Sequence, residues 1–188
     1  MNSICVFCGS SKGFNPLHAN ITRLAGAMLA KRNIRLVYGA GNIGLMGILA
    51  DAVLENGGEV LGVIPEFLKE KEVCHTGLTE LIVTQTMHQR KEIMANRSDG
   101  FIVLPGGYGT LDEFFEILTW RQLHLHDKPI GILNFNGYYD HLLAHVKQMW
   151  REGFLRESNL SLITVSENFP ELLEKMSQPV NLETEKWL

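Results

Sequence analysis

Short apolar runs alternate with amphipathic segments along almost the whole chain, and this alternation constrains the fold more than any other feature of the sequence. Runs such as FIVL at 101–104 and IGIL at 130–133 carry no polar residue. Strands have this pattern when helices cover both faces of a parallel sheet. About seven strand–helix units follow one another. We therefore predict an α/β, Rossmann-like, doubly wound fold with a mainly parallel sheet of about seven strands flanked by helices.

Length and charge limit the possible partners. The 188 residues are 45% hydrophobic and 20% charged, which suits a single domain over 1–188. A net charge of -4 gives no basic footprint for nucleic acid. No apolar run reaches the ~18 residues of a membrane span, and the N-terminal residues do not resemble a signal peptide. The odd set of three cysteines fits a reducing compartment, so we expect a cytoplasmic protein.

Glycine-rich segments follow three of the predicted strands. They are GSSKG after the first strand, GAGNIGLMG after the second and PGGYGT after the fifth. In doubly wound folds, ligands bind outside the carboxyl ends of the strands. A glycine turn that leads into a helix exposes backbone N–H groups and the positive end of the helix dipole. These segments therefore predict a site for a phosphorylated small molecule.

The segment GAGNIG at 39–44 also matches the G-x-G-x-x-G fingerprint of dinucleotide-binding proteins. The match is weak, because the fingerprint belongs to the first strand and requires an acidic residue ~20 positions further on, whereas Glu66 comes later. The same glycines suit close packing of a helix on the sheet. Packing and mononucleotide binding are both compatible with this segment, and a nicotinamide enzyme is the weaker alternative.

Carboxylates beside the third glycine segment raise a further question. Asp112 and Glu113 would repel a phosphate held at 105–110. One explanation is a capping box in which Thr110 caps the helix and Glu113 reaches back to it. The other is that Glu113 contacts a different part of the ligand. The tetrapeptide alone is compatible with both.

Arg90 lies in the segment MHQRK, upstream of the strand that leads into PGGYGT. Met87, Arg90 and Met94 have the spacing i, i+3, i+7, which places the arginine on an apolar stripe of a helix. A cation there needs an anionic partner, and a ligand, a structural carboxylate or contact with solvent would each satisfy it.

The pair of segments PGGYGTLDE and MHQRK resembles the LOG ("lonely guy") family of cytokinin riboside 5′-monophosphate phosphoribohydrolases. The similarity extends from CVFCGSS to GYYDHLL, which is nearly the whole chain. It implies a homodimer that hydrolyses the N-glycosidic bond of adenine-type nucleoside 5′-monophosphates, without metal or cofactor, to free base and ribose 5-phosphate. Family members are often mislabelled lysine decarboxylases, but the sequence offers no recognisable lysine setting for a pyridoxal Schiff base.

The resemblance also implies the site residues. Arg90 and Glu113 match the two catalytic side chains, so that Glu113 would stabilise positive charge on the ribose. The implied substrate contacts are Glu72, Arg90, Lys91, Gly107, Tyr108, Gly109, Thr110, Leu111, Asp112, Glu113 and Thr119. Asp112 stands where many relatives have glutamate, and the segment 66–78 around Glu72 departs further from the family. The alternative is a non-catalytic nucleotide-binding or carrier module, which would not need both Arg90 and Glu113.

One predicted helix points to a second subunit. The segment TLDEFFEILTWRQL at 110–123 is apolar on more than one face. One face can cover the sheet, and we expect another to meet a second copy of the chain.

Overall fold

The computed structural model of the protein describes residues 1–69 and 73–178. Within these residues the strands are β1 (Ser3–Phe7), β2 (Arg35–Tyr38), β3 (Val60–Pro65), β4 (Glu80–Thr84), β5 (Gly100–Val103), β6 (Ile130–Leu133) and β7 (Thr164–Ser166). They form one seven-stranded sheet in the order β4-β3-β2-β1-β5-β6-β7. Every neighbouring pair is parallel. The predicted doubly wound parallel sheet is confirmed.

Helices cover both faces of this sheet. They are α1 (Pro16–Lys31), α2 (Gly44–Glu55), α3 (Glu66–Lys69), α4 (Met87–Asn96), α5 (Tyr108–Gln122), α6 (Asp140–Arg151) and α7 (Phe169–Met176), with 3-10 turns at Phe135–Gly137 and Glu157–Leu162. Apolar side chains of α1, α2 and α7 pack on one face, and those of α4, α5 and α6 pack on the other. No helix in the described ranges has both the length and the apolar character needed to cross a membrane.

Two helix starts differ from the predictions. We expected α5 from Thr110, but it begins at Tyr108. The segment GYYDHLL predicts a helix from Tyr138, but α6 begins at Asp140 because a 3-10 turn comes first and the side chain of Asn134 accepts the amide of Tyr139 at 2.7 Å. The shift in α5 matters for the site described below.

The strand order reverses direction between β1 and β5. From β1 the chain proceeds to β2 on one side, whereas β5 leads to β6 on the other side. The loops that follow β1 and β5 therefore leave the sheet in opposite directions and open a crevice at its carboxyl edge. They pack closely at their base, where the amide of Gly9 donates to the carbonyl of Pro105 at 3.0 Å.

Candidate active site

The start of α5 presents backbone amides to the crevice. Gly107 precedes the helix in an extended conformation and, having no side chain, does not cap it. The first N–H groups of any helix have no acceptor within the helix. A Cβ built on Gly107 or Gly109 would meet nothing within 4 Å, so space for a ligand lies beside this turn. Amides that have no acceptor within the helix, at the positive end of the dipole, suit an anion such as phosphate.

Three other helices that begin at the same edge are closed by protein groups. The side chains of Asn15 and Thr86 cap α1 and α4. At the start of α2, the carbonyl of Gly9 accepts the amide of Leu45 at 3.0 Å. The helix that follows the G-x-G-x-x-G segment is therefore closed by a carbonyl oxygen, which an anion would not approach.

The glycines of that segment serve packing. A Cβ on Gly39 would lie 2.0 Å from Nη2 of Arg90, and one on Gly41 would lie 2.6 Å from Cε of Met46. Gly44 has a φ of +67° and lies against the backbone of Ser10. These glycines thus allow close approach of side chains and of the loop after β1, and Gly39 makes room for the charged side chain of Arg90 from α4.

Arg90 is buried, with 5% of its surface exposed. Its Nη2 donates to the carbonyl of Gly39 at 3.0 Å, and its Nη1 lies 3.8 Å from the sulfur of Met87. The predicted position on an apolar stripe is correct, since Met94 is buried and Met87 half-buried on the same helix.

A pocket of about 260 Å³ lies at the carboxyl edge and joins these features. It is lined by Cys8, Gly9, Ser10, Met46, Leu68, Met87, Arg90, Gly107, Tyr108, Gly109, Thr110, Asp112 and Glu113. The fold thus brings Arg90, the open end of α5 and Glu113 to one cavity, although Arg90 and Glu113 belong to different helices.

The capping-box interpretation of Glu113 is wrong. Because the helix starts at Tyr108, Thr110 is the third helical residue and lies buried inside the first turn. Glu113 falls in the second turn, about 8 Å along the helix axis from Tyr108 at 1.5 Å per residue. The backbone of Glu113 therefore lies about one and a half turns beyond the start of the helix, while its side chain lines the same pocket.

The pKa values of the Cys5 and Cys8 thiols are shifted by burial and by the charges around the pocket. Burial raises the pKa of Cys8 far above its usual range, and the negative charge of Glu113 raises it further. Burial and then Glu113 also raise the pKa of Cys5, whereas the charge of Arg90 opposes this. Both thiols are protonated at neutral pH, so neither is a nucleophile for this site.

Lys91 is held by two carboxylates of α5. Its Nζ lies 3.1 Å from Oδ2 of Asp112 and 3.0 Å from Oε2 of Glu116. Burial alone would lower the pKa of Lys91, but these two partners outweigh it, and the net effect raises the pKa. Lys91 is thus a cation that offsets the charge of Asp112 near the proposed anion site.

Leu111 and Thr119 lie in a second cavity. An open groove of about 490 Å³ runs along α5 and is lined by Tyr108, Leu111, Asp112, Phe115, Glu116, Thr119 and Trp120. Thr119 is about 16 Å along the helix axis from Tyr108, and its hydroxyl donates to the carbonyl of Phe115. The structure therefore does not bring Thr119 to the pocket of the same chain. Glu72 lies outside the described residues.

Several pocket residues were absent from the sequence-based set. Cys8 and Ser10 follow β1, where the strand order reverses. Loops at such a reversal commonly bind ligands, so the position of this loop could have predicted that they line the pocket. Met46 and Leu68 form part of the apolar lining of the pocket. No sequence pattern connects Gly39 to Arg90, because the two meet only through the fold.

The close approach of the Arg90 guanidinium to Gly39 predicts that a side chain at position 39 would destabilise the protein. Gly39→Ala should displace the Arg90 guanidinium and cost about 1–3 kcal/mol of unfolding free energy, which lowers the Tm by roughly 2–10 °C. The matched control is Gly109→Ala, where a Cβ meets nothing and helix propensity favours alanine. Thermal melting of both variants checks this. A Gly39→Ala protein as stable as Gly109→Ala would contradict the account of the contact.

Comparison with known proteins places this site in a family. A family model described as possible lysine decarboxylase matches residues 46–176. The chain is 44% identical over 180 residues to the cytokinin riboside 5′-monophosphate phosphoribohydrolase LOG5 of Arabidopsis thaliana, with 95% of this chain and 79% of that protein covered. It is 45% identical to the probable cytokinin riboside 5′-monophosphate phosphoribohydrolase LOGL2 of Oryza sativa subsp. japonica, covering 93% and 72% of the two chains.

A solved structure shows the same fold at lower identity. A molybdenum cofactor binding protein from Rippkaea orientalis superposes with a TM-score of 0.68 at 21% identity, over 94% of this chain and 97% of that one. The long matches at about 45% identity are to LOG proteins, and the resemblance seen in the two sequence segments is confirmed. The chain belongs to the LOG family, whose model carries the description possible lysine decarboxylase.

Proposed function

We propose that the protein hydrolyses the N-glycosidic bond of adenine-type nucleoside 5′-monophosphates, namely cytokinin riboside 5′-monophosphates, AMP or both, to free base and ribose 5-phosphate. One observation carries the proposal: Arg90 and Glu113 line a single pocket at the open N-terminus of α5. The printed activities of the relatives support it.

The phosphate would bind at the start of α5. The amides of the first turn can donate to its oxygens, and the helix dipole favours its charge. The pairing of Asp112 with Lys91 reduces the repulsion that this carboxylate would otherwise exert. The phosphate then fixes the position of the ribose, which extends along the pocket towards Glu113.

Glu113 would act on the ribose. As the bond from C1′ to the base nitrogen breaks, its electron pair leaves with the base and positive charge develops on the ribose ring. A nearby carboxylate stabilises that charge and can orient a water molecule towards C1′. The water oxygen bonds to C1′, one of its protons is lost, and the departing base gains a proton, so the products are the free base and ribose 5-phosphate.

Arg90 would hold the substrate in register. Its guanidinium is fixed by the carbonyl of Gly39, and a planar arginine suits phosphate or sugar oxygens. A buried cation near a carboxylate also favours the ionised form of that carboxylate. A non-catalytic carrier would need neither the positioning of the substrate nor an ionised carboxylate.

Incubation with AMP and with isopentenyladenosine monophosphate, followed by chromatography for free base, tests the proposal. Binding without base release would favour the carrier.

We also propose that the whole chain, 1–188, forms a single domain, that it is cytoplasmic and that it does not bind nucleic acid. The one sheet that spans the described residues supports the first statement. Within the described residues none of the three cysteines, at 5, 8 and 74, forms a disulfide, which is compatible with a reducing compartment. The net charge of -4 disfavours polyanions.

The protein should further act as a homodimer. Thr119 lies too far along α5 to share a ligand with the pocket of its own chain, whereas Thr119 of a second copy could approach that pocket if the two α5 helices pack together. The groove that begins at Tyr108 contains the side chains of Phe115 and Trp120, which a second copy would cover.

The phosphate should be required for turnover. AMP and isopentenyladenosine monophosphate should each exceed their free nucleosides in kcat/KM by ~10²-fold or more, because charge-assisted hydrogen bonds of about 1.5–3 kcal/mol each would be lost. Steady-state release of base from the four compounds measures this. Equal kcat/KM for AMP and adenosine would show that the start of α5 is not a phosphate site.

The charge of Glu113 should be essential for the chemical step. Glu113→Gln keeps the shape and removes the charge, so kcat should fall ~10²-fold or more while AMP still binds. Glu92→Gln, at an exposed position of α4, is the matched control and should retain activity. Base-release kinetics and calorimetric titration with AMP provide the two readouts, and near-normal turnover by Glu113→Gln would exclude this mechanism.

The dimer should depend on the groove along α5. Phe115→Glu places a charge in the proposed interface and should shift the mass in solution from twice 21.2 kDa to 21.2 kDa. Leu24→Glu is the control, since Leu24 is 63% exposed on α1. Light scattering after size-exclusion chromatography gives the mass, and circular dichroism verifies folding. A wild-type monomer, or a dimeric and folded Phe115→Glu variant, would refute the proposed interface.

A further inference from the structure

The buried imidazole of His75 pairs with Asp51, whose side chain is 56% exposed, and neither residue belongs to the set of site residues above. Nε2 of His75 lies 3.0 Å from Oδ1 of Asp51 on α2. Nδ1 of the same ring accepts the amide of Gly77 at 3.0 Å. Because Nδ1 is an acceptor, the proton of the neutral ring is on Nε2 and is donated to Asp51. The imidazole is 8% exposed and is held on both sides.

The backbone around His75 is attached to the loop that follows β2. The amide of His75 donates to the carbonyl of Ala40 at 2.9 Å, and the amide of Asn42 donates to the carbonyl of Val73 at 3.0 Å. Gly41 and Cys74 pair between these bonds as an antiparallel bridge. We call residues 73–77 the strap, because they lie across the loop 39–42 and are joined to it along its length.

The loop beneath the strap has an unusual conformation. Ala40 has a φ of +62°, in the left-handed region that residues with a side chain rarely adopt. Such a conformation persists only where the surroundings impose it. Glycine would adopt it readily, but here the Cβ of Ala40 also packs over Gly62 of β3. The strap supplies hydrogen bonds that hold this turn.

This turn sets the direction of the Gly39 carbonyl. The carbonyl of Gly39 and the amide of Ala40 belong to one rigid peptide unit, so the backbone angles at Ala40 help to orient it. That carbonyl accepts Nη2 of Arg90 at 3.0 Å. A continuous set of contacts therefore runs from Asp51 through His75 and the loop to the guanidinium that faces the pocket.

We propose that Asp51 and His75 are positioning residues for Arg90: their hydrogen bond fixes the strap, which fixes the peptide of Gly39 and so the guanidinium. The role deepens the proposed function and rests on it. Neither residue touches the substrate. The pair acts on the geometry of Arg90, and a displacement of ~1 Å at such a group can cost up to ~10²-fold in rate.

Two substitutions of His75 separate its two hydrogen bonds. The amide nitrogen of glutamine can replace Nε2 and keep the bond to Asp51, whereas the oxygen of asparagine can replace Nδ1 and keep only the bond to Gly77. Asp51→Asn retains an acceptor oxygen and Asp51→Ala removes it. The proposal expects kcat/KM to fall about 10-fold or more in Asp51→Ala and His75→Asn, and to remain within about threefold of wild type in Asp51→Asn and His75→Gln.

A double variant separates positioning from a general loss of structure. In Arg90→Ala, which has no guanidinium to orient, adding Asp51→Ala should leave the affinity for AMP unchanged, whereas in the wild type Asp51→Ala should weaken it. Calorimetric titration of the folded proteins with AMP measures the effect of Asp51→Ala on affinity in each background. Hydrogen–deuterium exchange should show faster exchange at 39–43 in Asp51→Ala and not in Asp51→Asn.

The outcomes distinguish this inference from the proposed function. If the wild type releases no base from any nucleotide, the proposed function fails, while AMP affinity and exchange at 39–43 still decide the role of the pair. Full activity in folded Asp51→Ala, or equal losses of AMP affinity in the Arg90 and Arg90→Ala backgrounds, would overturn the inference. Unchanged exchange at 39–43 in Asp51→Ala would do the same.

Discussion

The buried guanidinium of Arg90 is the constraint on which the arrangement of the pocket depends. Removing a charge from water is costly unless hydrogen bonds compensate for it, and one of these bonds comes from the carbonyl of Gly39. That contact requires a residue without a side chain at 39 and a turn at Ala40 that directs the carbonyl towards α4. The loop after β2 is therefore shaped by a side chain that arrives from a helix about 50 residues later in the sequence.

The sequence predicts the sheet well because burial on both faces gives each strand a distinct apolar pattern. The run 130–133 coincides with β6, and the run 101–104 is offset by one residue from β5; both strands lie inside the sheet, as expected. Arg90 could also be assigned to a buried stripe, since helix periodicity is a local property. These parts of the structure depend on residues that are close together in the chain.

Other parts depend on contacts across the fold, and local patterns gave no signal or the wrong one. Thr110 and Glu113 have the spacing of a capping box, but the glycine turn ends at Gly107 and the helix starts before Thr110. Lys91 pairs with two carboxylates of α5, and nothing in α4 itself indicates them. The distance of Thr119 from the pocket depends on the first residue of α5, which the local sequence pattern does not determine.

The two sulfur atoms near the pocket have a consequence for oxidative damage. Peroxides and other electrophiles react with thiolates, and the formation of sulfenic acid follows the fraction of thiol that is ionised and accessible. Cys8 lines the cavity, but burial and the charge of Glu113 keep it protonated. Burial above all, and with it the negative charge of Glu113, therefore keeps Cys8 in the thiol form, which peroxides oxidise slowly.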